Sequence, residues 1–300
     1  MKFPQLFASG AALGAVYALV GLGFVVIYRA TGVINFAQAG MVVLGAFLVY
    51  GATTTLDLSF WLALLVAMGL GALLGIVLER VVLRRMIGRP VYAVILVTVG
   101  LLLLVEPVVT TIWENPATNI ETPWGLGKVT IGSVNILQVD VATVVIAGTV
   151  LGAFFAFFRY TKYGVAMRAT AIDQEAALAQ GINVQRIVAL SWAIAGVVAV
   201  LAGTMLGSGA GPATGLGVGI GIISLKALPA VVLGGLDSPL GAVVGGLLIG
   251  ITEVLMAGYQ NDVLPFLPDG FAAVMPWVVM LIVLLVRPYG LFGTRDVRRI

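Results

Sequence analysis

The 300-residue chain contains neither cysteine nor histidine, and only one residue in ten is charged. Without Cys there are no disulfides, thiolate metal ligands or cysteine nucleophiles. Without His, the usual general base near neutral pH and the commonest protein metal ligand are gone. Ser-His-Asp triads, zinc-protease helices and histidine-bound haem are excluded with them. Soluble globular proteins carry about 25% charged residues, so a chain with 10% could not cover a water-facing surface. No basic block with interleaved aromatics occurs either, so nucleic acid is not expected as a partner.

What is present is apolar. Hydrophobic residues make up 61% of the chain and 39 glycines are added to them. This predicts an all-α integral membrane protein embedded in a lipid bilayer. Crossing a bilayer takes roughly 20 residues, and such stretches lie at about 6–28, 32–51, 58–78, 91–112, 138–158, 187–208, 214–235, 238–257 and 271–286. The first is too long for a cleaved signal peptide, whose apolar region is about 7–15 residues. The second and seventh are rich in Gly and polar residues, so either is expected to be broken or re-entrant. The count is eight or nine transmembrane helices.

Lys and Arg in short loops set the orientation. Arg80, Arg84, Arg85 and Arg89 follow the third span; Arg159, Lys162, Arg168 and Arg186 lie between the fifth and sixth; Arg287, Arg295, Arg298 and Arg299 close the chain. With Arg29 these are 13 of the 16 basic residues, and alternation of the spans puts all of them on one side. Asp57, Glu114, Glu121, Asp262 and Asp269 fall on the other, with Lys128 the only base. The C-terminus is expected to be cytoplasmic, and with nine crossings the N-terminus lies outside. The longest external loop, 113–137, has β-branched residues, Pro116, Pro123 and Gly125, which suit turns and short strands. It reads either as a docking surface or as a solvated connector.

Gly32–Gly45 can be laid on Gly221–Gly234 at a constant offset of 189 residues. In a nine-span topology the two segments cross in opposite directions, an inverted repeat. Paired Gly/Pro-interrupted segments of this kind point to a transporter's central pathway. Three charges fall inside apolar spans: Glu106, Lys226 and Glu253. At the bilayer centre each would cost roughly 2.5–3.5 kcal/mol on insertion scales. Lys226 is read as pairing with a carboxylate that holds broken helices in register. Glu106 and Glu253 are read as lying near the outer boundary and reaching water, with a place on the permeation path as the rival. The GxxxG pairs Gly71/Gly75, Gly203/Gly207, Gly241/Gly245 and Gly246/Gly250 are expected mostly to pack helices within one subunit.

The segment 159–186 differs from the rest. Val165 to Gln180 is Ala-rich, has strong helix formers and ends at Gly181, which suits a helix C-terminus. It predicts a short helix across the cytoplasmic mouth with Arg168, Asp173 and Glu175 exposed. A connector that only turns the chain would not need 28 residues, so the helix is a candidate handle for a cytoplasmic partner. No catalytic constellation accompanies it. Gly127-Lys128-Val129 lacks the Ser/Thr of a phosphate-binding loop, and Gly207–Gly221 lacks GxGxxG spacing.

Three blocks resemble the membrane permease subunits of bacterial branched-chain amino-acid ABC importers. They are Gly32–Ala37 (Gly-x-Ile-Asn-Phe-Ala), Arg159–Ile187 with Glu175-Ala176-Ala177-x-x-x-Gly181, and Leu225 through Gly234-Gly235 to Gly250 and Glu253. The tail Val286–Gly293 matches as well. The resemblance implies one transmembrane permease domain over residues 1–300, in the bacterial inner membrane and not itself an enzyme. It implies a heterodimer with a second homologous permease, two cytoplasmic ATPase subunits that hold ATP-Mg, and an extracytoplasmic solute-binding protein. This chain would need no cofactor of its own. By the same resemblance Arg168, Asp173, Glu175, Ala176, Ala177 and Gly181 serve ATPase coupling. Asn35, Phe36, Gln38 and Gly40 lie near the translocation path. The family pattern places an acidic residue where this chain has Gly40, and its loss is expected to favour a less cationic or larger solute, or only to alter packing. The rival function is a stand-alone secondary transporter or channel, which leaves 159–186 without a role.

Overall fold

The computed structural model describes residues 2–86, 88–113, 119–125, 127–131, 134–210, 215–217, 219–263, 268 and 270–293. Glu114, Asp269, Arg295, Arg298 and Arg299 lie outside the described residues. Helices α1 (Lys2–Thr31), α2 (Ala37–Thr54), α3 (Phe60–Val81), α4 (Val91–Trp113) and α5 (Gln138–Tyr160) are followed by two short ones, α6 (Lys162–Ile172) and α7 (Gln174–Ala179). Then come α8 (Val184–Gly207), α9 (Ile220–Leu225), α10 (Ala227–Gly234), α11 (Pro239–Val263) and α12 (Met275–Val286). The only sheet among the described residues is a hairpin, β1 (Lys128–Ile131) and β2 (Val134–Leu137), paired antiparallel with Lys128 opposite Leu137. It falls in the loop where the sequence predicts turns and short strands.

Seven helices are long and apolar enough to cross a membrane, and two shorter apolar stretches, Ile220–Gly234 and Phe271–Val286, accompany them. At about 1.5 Å per residue the shorter two are only ~22–24 Å long, less than the ~30 Å of a hydrocarbon core. With the seven they make nine apolar segments among the described residues. One end of the molecule gathers Arg29, Phe158, Met167, Ile187 and Pro239 around a single small cavity, and this is the basic end. At the other end Ile120 N donates to Gly207 O (2.8 Å), fastening the 113–137 loop to the last residue of α8. The segment after α12 returns to the basic end, where Leu291 N and Phe292 N donate to Leu233 O and Gly234 O (2.8 and 3.0 Å).

Lipid offers no hydrophobic drive for helix association, so close backbone approach at small residues supplies the packing. Nearly all of α1 is buried, packed on α11, α8, α5 and α10. Gly10 and Gly14 of α1 meet the backbone of Gly250 and Leu247, and Gly71 and Gly75 of α3 meet Gly196 and Trp192 of α8. The GxxxG pairs thus pack within the subunit. By contrast, α3, α4 and α5 are mostly exposed; α3 rests on α8, and α4 on α2.

Candidate functional site

Two features carry polar chemistry in an otherwise apolar molecule: the helix breaks within the bundle and the short helices at the basic end.

The first break lies between α1 and α2. Gly32, at φ +73°, ends α1 in a left-handed turn that a side chain would strain. Asn35 then accepts a hydrogen bond from Ala37 N at 3.1 Å, meeting one of the free donors at the start of α2. Phe36 N donates to Thr98 Oγ of α4 (3.2 Å). At the second residue of α2, Gln38 is completely buried. Its amide Nε2 donates to Ala195 O of α8 (3.2 Å), and the side chain lies in a notch that any Cβ on Gly23 of α1 would fill. Among the described residues, Asn35 Nδ2 and Gln38 Oε1 have no hydrogen-bond partner. Gly40 faces α4, where an added Cβ would lie 2.9 Å from Val105 Cγ2. Asn35, Gln38 and Gly40 are therefore enclosed by α1, α4 and α8 of this chain, and Gly40 marks a place where two helices touch.

The second break separates α9 from α10 at Lys226, the position equivalent to Ala37, the first residue of α2, at the 189-residue offset. Lys226 Nζ pairs with Glu253 Oε1 of α11 at 2.5 Å. Tyr17 of α1 donates its hydroxyl to Glu253 Oε2 at 2.7 Å. The carboxylate that Lys226 requires is thus Glu253. This corrects the expectation that Glu253 reaches water near the outer boundary: it is buried. An unpaired charge so enclosed would be expensive, and pairing plus a hydroxyl donor offsets that cost. Glu106 does stay exposed on α4, seven residues or about 10 Å from the helix end at Trp113.

At the basic end, 159–186 forms two helices rather than one. Thr161 caps α6 by accepting from Gly164 N (3.1 Å). The chain then breaks at Asp173, whose carboxylate accepts from Glu175 N and Ala176 N (2.9 and 3.0 Å) and starts α7. The break follows from residue type: Asp favours capping a new helix over continuing an old one. Gly181, at φ +79°, closes α7, as its sequence position predicts. Asp173, Glu175 and Ala176 are exposed, whereas Ala177 is buried. Arg168 departs from expectation. It is half-buried, donates to Phe158 O and lies 5.2 Å over the Phe158 ring, so it anchors α6 rather than offering a charge to solvent. Gln174 Nε2 donates to Ala30 O (3.0 Å), tying α7 to the end of α1. Four large apolar side chains are exposed on these helices, Tyr163, Val165, Ile172 and Leu178, with Ile172 at 85% the most open and Leu178 at 57% the next.

Sequence reasoning missed three polar partnerships. Tyr17 sits in an apolar run with no local sign of its acid 236 positions away. Buried Asp140 accepts from Ser9 Oγ at 2.6 Å; an acid in the first turn of a span is a readable signal. Buried Glu79 is held by Arg84 through Nε (3.1 Å) and Nη2 (2.9 Å), and an acid one turn before an arginine cluster is another.

Comparison with known proteins gives a consistent picture. The family model described as branched-chain amino acid transport system / permease component matches residues 6–285. The chain is similar to the high-affinity branched-chain amino acid transport system permease protein LivH of Escherichia coli, at 28% identity over 100% of this chain and 98% of the relative. It is 28% identical to the corresponding protein BraD of Pseudomonas aeruginosa, over 99% and 98%. A structure of PsaBC from Streptococcus pneumoniae in complex with Fab has a similar fold, with TM-score 0.50, 17% identity, and 96% and 93% of the two chains covered.

Proposed function

The chain belongs to the branched-chain amino acid transport system permease family, and from that membership we propose that it is the pathway subunit of an importer for a branched-chain amino acid or a related small carboxylate or amide. It lies in the cytoplasmic membrane with the basic end and the C-terminus inside, following the distribution of Lys and Arg. A second, homologous permease completes the pathway. Two ATPase subunits bind and hydrolyse ATP-Mg beneath the basic end, and a solute-binding protein delivers cargo to the 113–137 side.

The observation that carries this reading is the uncovered apolar pair Ile172 and Leu178 on α6 and α7, at the water-facing end of the bundle. Apolar side chains rimmed by Asp173 and Glu175 fit a protein partner better than solvent. The segment is also mechanically tied to the bundle, through Arg168 to α5 and through Gln174 to α1. A force on α7 from below therefore reaches the core helix directly. Asn35, Phe36, Gln38 and Gly40, at the end of that helix, are where such a force would alter the path.

The test is substitution of Leu178→Asp in the assembled transporter. Solute-stimulated ATP hydrolysis and uptake into vesicles should fall by at least tenfold, with the ATPase chains lost on gel filtration and the permease still folded. Transport by the purified permease alone, unaffected by Leu178→Asp, would overturn the proposal in favour of a stand-alone carrier.

A further inference from the structure

The connection between α3 and α4 holds four arginines in ten residues, Arg80, Arg84, Arg85 and Arg89. The single carboxylate beside them, Glu79, is buried and fully engaged by the fork of Arg84. Arg80, Arg85 and Arg89 are exposed, and among the described residues none of them has an ion-pair partner. Next to this cluster is a cavity of about 330 Å³, within the size range of small-ligand sites, roughly 300–1,000 Å³. Arg84, Arg89, Gln174, Gln185, Thr31 and the Glu79 carboxylate that Arg84 neutralises are its polar lining, and Val91 and Val94 of α4 are part of its apolar lining. Exposed Arg89 and Val91 both belong to the lining, so the cavity opens outward at the foot of α4.

From that opening an apolar surface runs up the bundle. Val91, Tyr92 and Leu96 of α4 are all more than half exposed, and Val77 and Val81 at the end of α3 are exposed too. Among the described residues no other helix covers them, because α3 packs mainly on α8 and α4 on α2. The N-terminus of α4 also lies at this cavity, where the helix dipole favours negative charge. An excess of positive charge over a polar cavity, continuous with an apolar membrane face and an interfacial tyrosine, matches an anion that carries acyl chains. A soluble anion would use only the arginines, and a zwitterionic lipid would set its ammonium against them.

We infer that the cavity at the foot of α4 is a binding site for the phosphodiester headgroup of an anionic phospholipid, held by Arg89 and Arg84 of its lining, with exposed Arg85 adding positive charge beside it and the acyl chains along α4. Because Gln174 opens α7, the headgroup joins the α3–α4 connection to the segment that faces the ATPases, and the lipid steadies that segment. Basic pockets between membrane helices on the cytoplasmic side are suited to such headgroups.

The experiment is lipid titration of the delipidated transporter assembly, read by native mass spectrometry and by thermal unfolding. The probes are dioleoylphosphatidylglycerol, dioleoylphosphatidylcholine and inorganic phosphate. The anionic lipid should bind and raise the unfolding temperature, while the choline lipid does neither. Arg85→Gln/Arg89→Gln, which leaves the Glu79–Arg84 pair intact, should weaken the anionic lipid on the order of thirtyfold, given about 1 kcal/mol per basic residue. Arg89→Lys should keep most of the affinity. Equal binding of the two lipids, or an unchanged affinity in the double variant, overturns the inference. Displacement of the lipid by millimolar phosphate would assign the site to a soluble anion instead. Loss of ATPase chains from the double variant with lipid binding intact would assign the arginines to a protein contact. Failure of the proposed transport function alone would leave lipid binding by this chain unchanged.

Discussion

The two segments that align at an offset of 189 residues break at matching places and are held in opposite ways. At the first, α1 ends on Gly32 and α2 starts at Ala37, with only neutral groups at the junction: the Asn35 cap and the Gln38 amide. At the second, α9 and α10 meet at Lys226, and a charged network of Lys226, Glu253 and Tyr17 joins them to α11 and α1. The first break is shaped by packing, since Gln38 fits only because position 23 is glycine. The second is shaped by electrostatics, with a paired charge enclosed by apolar helices. The same backbone device is thus stabilised once by shape and once by charge. Shape-held junctions tolerate changes of polarity and resist changes of volume; charge-held junctions do the reverse.

The largest test of that contrast is to remove one member of the ion pair. Glu253→Leu, which strands Lys226, should cost about 3–5 kcal/mol, the usual penalty for an orphaned buried charge. Lys226→Met should cost a similar amount. The double variant should recover most of the loss, because a buried pair replaced by apolar residues of similar volume is often neutral. Unfolding in detergent, followed as a double-mutant cycle, gives the coupling energy directly. Additive single losses would mean that the second break is held by packing after all.

Next in size is Tyr17→Phe, which deletes the hydroxyl given to Glu253 while keeping the ring in the core. Hydrogen bonds to charged groups contribute about 1.5–3 kcal/mol, and the loss should vanish in a Glu253→Leu background. At the first break the matching change is one of volume. Gly23→Ala places a methyl group in the Gln38 notch, and overpacking of this kind typically costs 1–3 kcal/mol. A neutral Gly23→Ala would show that the amide swings aside freely and that shape does not hold the junction.

Residue pattern revealed the apolar segments and the basic side, since both follow from hydrophobic length and Arg placement. It located the break in the seventh span, in the stretch that holds Lys226, whereas the second span, expected to be broken or re-entrant, is the continuous helix α2 and its Gly32 only ends α1. It also identified 159–186 as separate from the bundle. What it could not give was pairing across the chain. Tyr17 and Glu253 are 236 positions apart, and nothing local links them. From sequence alone Glu253 therefore reads as reaching water, whereas its burial depends on three helices converging. Arg168 shows the same limit on a smaller scale: an arginine near an aqueous end reads as exposed until Phe158 is found beneath it. The split at Asp173 is available in principle, because an Asp two residues before Glu175 and three before Ala176 is a capping signal as much as a solvent-facing charge.

The smallest expected effect is the most informative about the first break. Gln38→Met keeps nearly the same volume and removes the amide. The hydrogen bond to Ala195 O is lost, but so is the buried Oε1 that has no partner. Volume-conserving exchanges cost less than about 1.5 kcal/mol, and removing an unsatisfied acceptor offsets part of that. Stability should therefore barely change, unlike the outcome at Lys226. Transport then separates two roles for the amide. If uptake by Gln38→Met also stays near the wild-type rate, Gln38 is a filler of the Gly23 notch and the polar atom is incidental. If uptake falls tenfold or more while unfolding is unchanged, an amide kept at a stability cost inside an apolar bundle is there for the solute. In that case the shape-held break is the one that opens.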